Sequence, residues 1–186
     1  MTTDAFEENS QIRWGEETAR VEFRPDWKGV SCPWRHLARL EPDQSWFDLP
    51  EPDINRQSQL YVRRDSTAPI PPEAVAAMEL VEAGASEAFV VENWLGIGVM
   101  NHQLIGTRKN HRIWELIAAY RRESGKKQGG GFPDVVAYWP DQTVSLCEVK
   151  VRGKDRLNQN QIQGIRHLRS ILGARLDLRV YAWLGN

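Results

Sequence analysis

A carboxylate and an ammonium occupy alternate positions of one predicted strand. Glu148 and Lys150 stand two residues apart in "TVSLCEVK" (143–150), whose alternating pattern is typical of a β-strand. Successive side chains of a strand point to opposite faces, so Glu148 and Lys150 share one face. Asp134 begins the preceding strand, and the turn signal at 140–142 predicts an antiparallel hairpin. This pairing would bring the carboxyl groups of Asp134 and Glu148 side by side.

Two neighbouring carboxylates repel each other unless a positive charge lies between them. Mg²⁺ binds one or two carboxylates and fills its remaining positions with water and phosphate oxygens, so Asp134 and Glu148 suit Mg²⁺ or Mn²⁺. The backbone carbonyl of Val149 would add a further oxygen. Lys150 would orient or help deprotonate an attacking water and meet the phosphate. By spacing alone, the commoner explanation of Glu-X-Lys is a surface ion pair, worth below about 1 kcal/mol.

An ordered series of motifs favours the hydrolytic interpretation. "GFPDVV" (131–136) is followed by "CEVKVRGKDRLNQNQ" (147–161) and by the ending "ILGARLDLRVYAWL" (171–184). Over about residues 129–185, the chain resembles the PD-(D/E)XK nucleases and, within them, the VRR-Nuc domain. That domain ends the Fanconi-associated nucleases and also forms small phage and bacterial proteins. The loop after Lys150 has one residue more than the commonest family form.

The resemblance implies a divalent-metal-dependent deoxyribonuclease that hydrolyses phosphodiester bonds and leaves a 5′ phosphate. Asp134 and Glu148 would bind Mg²⁺ or Mn²⁺, and Lys150 would serve the attacking water. Selectivity for flap, junction or branched DNA, in repair, recombination or defence, is the expectation that follows. Small stand-alone nucleases of this kind often act as homodimers, so a homodimer is a further expectation.

Gln161 would be the glutamine of the family's next helix. It shares a helical face with Ile165, Leu168 and Leu172 and therefore points toward the sheet, where its amide can hold a water or a phosphate oxygen. The alternative is that Gln161 bonds to free backbone N–H groups at the start of the helix.

Members of the family usually add a carboxylate from a helix before the Pro-Asp strand. We choose Glu92, because the apolar spacing predicts a helix over 86–94. Glu87 and Glu115 remain alternatives. Glu115 lies in a well-formed amphipathic helix, where exposure to solvent is the usual state of a glutamate.

The elements that must position these residues alternate along the second part of the chain. This order favours an α/β architecture with a mixed sheet between helices. The resemblance implies that residues 71–186 form a restriction-endonuclease-like core. Residues 1–70 are rich in Trp and Pro and predict an N-terminal extension of loops and short strands. Helices are predicted over 72–84, 86–94, 111–124 and about 158–172, and strands over 134–139, 143–150 and 177–184.

The charge of the chain is unevenly distributed. Residues 107–186 hold fifteen Lys and Arg against seven Asp and Glu, whereas residues 1–106 hold nine against eighteen. A basic segment steers a polyanion such as DNA, although most surface cations serve only solubility. The candidates for contact with the DNA backbone are Arg108, Lys109, Arg112, Arg121, Arg122, Lys126, Lys127, Arg152, Lys154 and Arg156.

Composition excludes several other classes of protein. The 186 residues, 41% of them hydrophobic, can bury a core, and they include no apolar run long enough to span a membrane. The polar, acidic start differs from a secretory signal, so we expect a cytoplasmic, soluble protein. Cys32 and His36 lack the further ligands that a structural zinc site requires.

A function of another class remains open at this point. The chain is alternatively a nuclease-like DNA-binding module without turnover, or a subunit of a larger complex. The set of Asp134, Glu148 and Lys150 argues against this alternative, because a pure DNA binder gains nothing from carboxylates that face phosphate.

Overall fold

The computed structural model describes residues 10–33, 41–46, 58–63, 68–93, 98–126 and 130–185. Their core is a mixed sheet between helices. The strands are β1 (Gln11–Trp14), β2 (Glu17–Arg24), β3 (Lys28–Pro33), β4 (Ser58–Arg63), β5 (Glu87–Glu92), β6 (Gly98–Asn101), β7 (Val135–Tyr138), β8 (Val144–Val151) and β9 (Leu176–Trp183). The helices are α1 (Pro72–Glu82), α2 (Arg112–Ser124) and α3 (Gln159–Leu172), and a short 3₁₀ turn (Gly173–Arg175) follows α3.

Seven strands form one sheet in the order β1-β2-β9-β8-β7-β5-β6, and β3 and β4 form a separate antiparallel pair. Strand β9 runs parallel to both β2 and β8, and the other neighbours in the large sheet are antiparallel. The predicted α/β class with a mixed sheet is therefore confirmed. The first strands of the chain, β1 and β2, extend this sheet beyond β9.

The helices cover both faces of the sheet. The apolar sides of α2 and α3 pack on one face, with Ile113, Ile117, Ile165 and Leu168 fully buried. Helix α1 packs on the other face through small residues and Leu80. Because each helix buries one apolar stripe against the sheet, the amphipathic patterns of 111–124 and 158–172 predicted these helices correctly.

The prediction of a helix over 86–94 is wrong, because residues 87–92 form strand β5. Phe89 and Val91 lie in the core cluster under α2 and α3, whereas Val90 lies in the cluster under α1. Such a strand is buried on both faces and reads as a continuous apolar run, which periodicity alone cannot distinguish from a buried helix. Residues 87–92 form a strand because they pair with β7 on one side and with β6 on the other.

Three tryptophans from the first seventy residues are core side chains. Trp14, Trp27 and Trp46 are at most 3% exposed.

Among the described helices, none has the length and apolar character needed to cross a bilayer.

Candidate active site

The β7–β8 hairpin brings Asp134 and Glu148 together. Val135 pairs with Cys147, so Asp134 stands one step further along, opposite Glu148. The Oδ2 atom of Asp134 accepts a hydrogen bond of 3.0 Å from the backbone N–H of Val149, which orients the carboxyl group. Glu148 is fully buried. Burial raises the pKa of Glu148 well above its usual value, and the Asp134 carboxyl group, within hydrogen-bonding reach, raises it further.

Lys150 lies beside Glu148 on the same face of β8. Its Nζ atom is 2.8 Å from Oε2 of Glu148, and its side chain is 11% exposed. Burial alone would lower the pKa of Lys150, but the carboxylates of Glu148 and Asp134 outweigh burial and raise it. The ammonium therefore offsets part of the negative charge of the two acids.

Gln161 has the capping role that was the alternative for its position, and its side-chain amide also reaches the buried Glu148. It is the third residue of α3, and its Oε1 atom accepts a hydrogen bond of 2.9 Å from the backbone N–H of Asn158, completing a capping box. Its Nε2 atom donates to Oε2 of Glu148. One amide thus caps the helix and holds the buried carboxylate.

Sequence reasoning missed Glu73, a fourth acid of this region. It lies in the first turn of α1. Burial raises the pKa of Glu73 to about 8, the carboxylates of Asp134 and Glu92 raise it as well, and Lys150 acts in the opposite direction. An acid in a first helical turn is usually an exposed partner of the helix dipole. The overlooked signal was its spacing, because Glu73 shares a helical face with the buried Ala77 and Leu80.

The three glutamates considered earlier separate in the structure. Glu92 ends β5, not a helix, and it interacts electrostatically with Glu73. Glu87 begins the same strand at its far end, where it bonds to His111 and Arg112. Glu115 is exposed on α2. Glu92 is therefore near the other acids, whereas Glu87 and Glu115 lie in other parts of the structure.

Glu73, Glu92, Asp134, Glu148 and Lys150 are called the site cluster below. It combines four acids with one ammonium, and Oε1 of Glu148 is buried without a hydrogen-bond partner among the described residues. Within that part of the chain, no group of three His, Cys, Asp or Glu side chains is arranged to hold a metal ion. Mg²⁺ needs fewer protein ligands, because it keeps several waters and binds substrate phosphates. The acidic oxygens present therefore fit a hydrated divalent cation.

Many of the predicted DNA-contacting residues have partners within the protein. Arg108 bonds to Asp43 at 2.9 Å, and Lys109 lies 3.3 Å from the ring centre of Trp114. Lys126 donates to the carbonyl of Gly130 at 3.0 Å. The others are distributed as follows: Arg112 bonds to Glu87, Arg121 is half-buried, Arg122 is exposed, Arg152 lies over Phe23, Lys154 and Arg156 are exposed, and Lys127 lies outside the described residues.

Two of these arginines line a cleft away from the site cluster. Arg112 and Arg122 face a cavity of about 660 Å³ that Tyr138 and Pro140 also line. Tyr138 ends β7, whereas Asp134 precedes the start of that strand. Arg152, Lys154 and Arg156 instead follow Lys150 directly along the chain, so the basic residues adjacent to the site cluster come from the loop after β8.

Comparison with protein-family models, with curated proteins and with solved structures returns no match to this chain. Its function is therefore inferred from its residues and their geometry.

Proposed function

We propose that this chain is a divalent-metal-dependent deoxyribonuclease that hydrolyses phosphodiester bonds, with a restriction-endonuclease-like core of the PD-(D/E)XK type. The observation that carries the proposal is the excess of acids over cations in the site cluster. Four acids share one lysine, and a buried oxygen of Glu148 has no donor among the described residues. A protein gains no stability from such an arrangement, so an external cation is its simplest explanation.

The origin of these side chains supports the proposal further. The resemblance implied a carboxylate from a helix that precedes the Pro-Asp strand, and α1 supplies Glu73 beside Asp134. It also implied a glutamine from the following helix, and Gln161 of α3 bonds to Glu148. Elements far apart in the sequence thus contribute the residue types that metal-assisted phosphodiester hydrolysis uses.

Each residue then has a role that its contacts support. Asp134 and Glu148 would hold a Mg²⁺ or Mn²⁺ ion, with Glu73 or Glu92 as a further acidic ligand. When bound, such an ion activates water and stabilises negative charge on phosphate. The Lys150 ammonium, held by Glu148, donates a hydrogen bond to the attacking water and places a positive charge next to the phosphate. Gln161 fixes the orientation of the Glu148 carboxylate.

DNA is the proposed substrate because basic residues border the site cluster. Arg152 is half-buried, and Lys154 and Arg156 are exposed on the loop that leaves β8 immediately after Lys150. Cations at this position can bind phosphates on either side of a scissile bond. We propose selectivity for flap, junction or branched DNA on the resemblance alone, and the same holds for action as a homodimer.

A panel of labelled linear, nicked, flapped and branched DNAs, incubated with Mg²⁺ or Mn²⁺, tests the proposal. We expect cleavage that EDTA abolishes, and loss of at least about a thousandfold in Asp134→Asn and in Lys150→Met. Lys28→Met is the matched control, since it removes an exposed lysine of β3, which lies outside the seven-stranded sheet, and leaves the acids intact. Cleavage that survives in both site variants would exclude the assignment.

The same assay addresses the non-catalytic alternative. A DNA-binding module would bind the panel equally well with and without divalent cation and would leave every substrate intact. Unchanged DNA at all metal and substrate combinations, together with tight metal-independent binding, would favour that alternative.

A further inference from the structure

The β1–β2 hairpin contacts the helix that carries Gln161. Trp14, the last residue of β1, is fully buried, and its Nε1 atom donates a hydrogen bond of 3.1 Å to the backbone carbonyl of Gln161. The side chain of the same glutamine bonds to Glu148. A single residue of α3 therefore joins the N-terminal hairpin to the buried carboxylate of the site cluster.

The turn of the hairpin packs directly on the next residue of α3. Gly15 has φ of 69°, a conformation that favours glycine. A Cβ atom at this position would lie 3.1 Å from Cγ2 of Ile162 and 3.7 Å from its carbonyl oxygen. Glycine thus satisfies the turn and allows the backbone of the hairpin to approach the first turns of the helix.

Two ion pairs continue this contact along α3. Glu17 accepts hydrogen bonds from Arg169, one of them 2.8 Å long, and the Arg169 guanidinium holds the pKa of Glu17 below its usual value. Glu16 and Arg166 lie 3.4 Å apart in a more exposed pair. These contacts lie one and two turns after Gln161, so they hold the helix along its length.

The hairpin is also part of the sheet that carries Glu148. Val21 of β2 pairs with Val180 of β9, and Val180 pairs with Glu148 of β8. The hairpin therefore contacts α3 on one side and is hydrogen-bonded to the strands beneath it on the other. This geometry sets the distance between Gln161 and Glu148 from two directions.

We infer that the β1–β2 hairpin is a positioning element of the active site, and that Trp14 holds the first turn of α3 so that Gln161 reaches Glu148. The inference rests on the proposed function, and it assigns a role to part of the N-terminal segment. Substitution of Trp14 is then expected to lower the turnover rate while binding of DNA changes little. A residue that only fills the core would lower stability without this selective effect.

The test compares Trp14→Phe with Trp46→Phe in the full chain. Phenylalanine keeps an aromatic ring and removes the indole N–H. Trp46 is a matched control, because it is 1% exposed and packs against Tyr61 on the opposite side of the sheet from α3. At a temperature where both variants are folded, we expect kcat to fall about fivefold to tenfold in Trp14→Phe with KM nearly unchanged, and to be retained in Trp46→Phe.

A double-mutant cycle then asks whether Trp14 acts through Gln161. We expect Gln161→Ala to lower kcat about tenfold to a hundredfold, and Trp14→Phe to add nothing in that background. Equal losses of kcat in the two tryptophan variants, or a full effect of Trp14→Phe without Gln161, would overturn the inference.

A readout without DNA separates this inference from the proposed function. The side-chain amide of Gln161, identified in an NMR spectrum by its absence from Gln161→Ala, reports whether the amide is held. We expect its resonances to shift and sharpen toward those of a mobile amide in Trp14→Phe and to stay unchanged in Trp46→Phe. An unaffected amide in Trp14→Phe would refute the positioning role even if the chain cuts no DNA, and a released amide would support it.

Discussion

Two of the charged groups formed by the described residues differ in how their charges are balanced. The site cluster has four acids for one ammonium. The second group, here called the matched network, lies around β2 and β9 on the α1 side of the sheet and combines three arginines with three acids. Its members are Arg20, Glu22, Arg24, Glu79, Asp177 and Arg179.

In the matched network each charge has an opposite partner. Arg24 and Glu79 lie 2.6 Å apart, and Arg179 and Asp177 lie 2.7 Å apart. Neutral donors also form hydrogen bonds to the carboxylates of this network. The Ser145 hydroxyl donates to Asp177 at 2.6 Å. The Trp27 indole donates to Glu79 at 2.9 Å. Partly buried charges with such partners can be kept for structure alone.

The site cluster is compensated only in part, by Lys150 and Gln161. Glu148 is more deeply buried than any acid of the matched network, yet one of its oxygens has no hydrogen-bond partner in the described part of the chain. The comparison teaches that burial of charge by itself does not indicate function. Uncompensated burial does, because it costs stability unless a ligand supplies the missing charge.

The largest expected effect is the loss of cleavage in Glu148→Gln. The amide is isosteric with the carboxylate and removes a metal ligand, so we expect cleavage to fall at least about a thousandfold. The temperature of thermal unfolding should change little, because burial already favours the neutral form of Glu148, which the amide resembles in size and charge. The matched control is Asp177→Asn, which should keep cleavage; similar activity losses in both variants would remove the distinction between the two groups.

Divalent cation should stabilise the protein through the site cluster alone. An ion that binds only the folded state at a hundred times its Kd adds about 2.7 kcal/mol, which raises the unfolding temperature of a chain of this size by about 5–10 °C. Thermal unfolding with Mg²⁺ or Mn²⁺, and with EDTA, measures the shift. We expect it in Asp177→Asn and not in Asp134→Asn; a shift of equal size in both would place the ion elsewhere.

Substitution of Glu73 should reveal which acids belong to the site. We expect Glu73→Gln to lower cleavage about tenfold to a hundredfold, because it removes an acid that interacts with Asp134. Glu115→Gln, an exposed change on α2, serves as the control and should have no effect. If Glu92→Gln lowers cleavage and Glu73→Gln does not, the end of β5 supplies the further ligand.

The matched network should matter for stability and not for cleavage. Asp177→Asn weakens the bonds from Arg179 and Ser145, and we expect the free energy of unfolding to fall by about 1–2 kcal/mol. Urea unfolding measures the change. Thr143→Ala, a partly buried change at the edge of β8, is the comparison that should stay within about 0.5 kcal/mol.

The smallest expected effect is the change in protein stability at low pH. Burial alone would raise the pKa of Asp177, but hydrogen bonds from Ser145 and Arg179 outweigh burial and lower the pKa below its usual value. An acid whose pKa is lowered by folding stabilises the protein fully above its unfolded-state pKa, and this contribution disappears as the pH falls through the folded-state pKa. The stability difference between wild type and Asp177→Asn should therefore shrink below about pH 4. A difference that is constant down to about pH 2.5 would contradict this assignment.

The parts of the fold that were predicted correctly are those with local patterns. Period-two alternation and a turn signal located the β7–β8 hairpin, and a helical apolar stripe located α3. Strand β5 was misjudged because its apolar residues are buried on both faces, which makes its pattern ambiguous. Glu73 was missed because its position near Asp134 depends on where α1 packs against the sheet.

The sequence by itself determined that Glu148 and Lys150 share a face and that Gln161 points inward, because strand and helix periods depend only on neighbouring residues. Only the tertiary structure decided which distant acid joins them and that an N-terminal tryptophan holds the helix of Gln161. These relations arise from strand order and helix docking, which depend on contacts between residues far apart in the chain. A local pattern contains no information on such contacts until the whole core has packed.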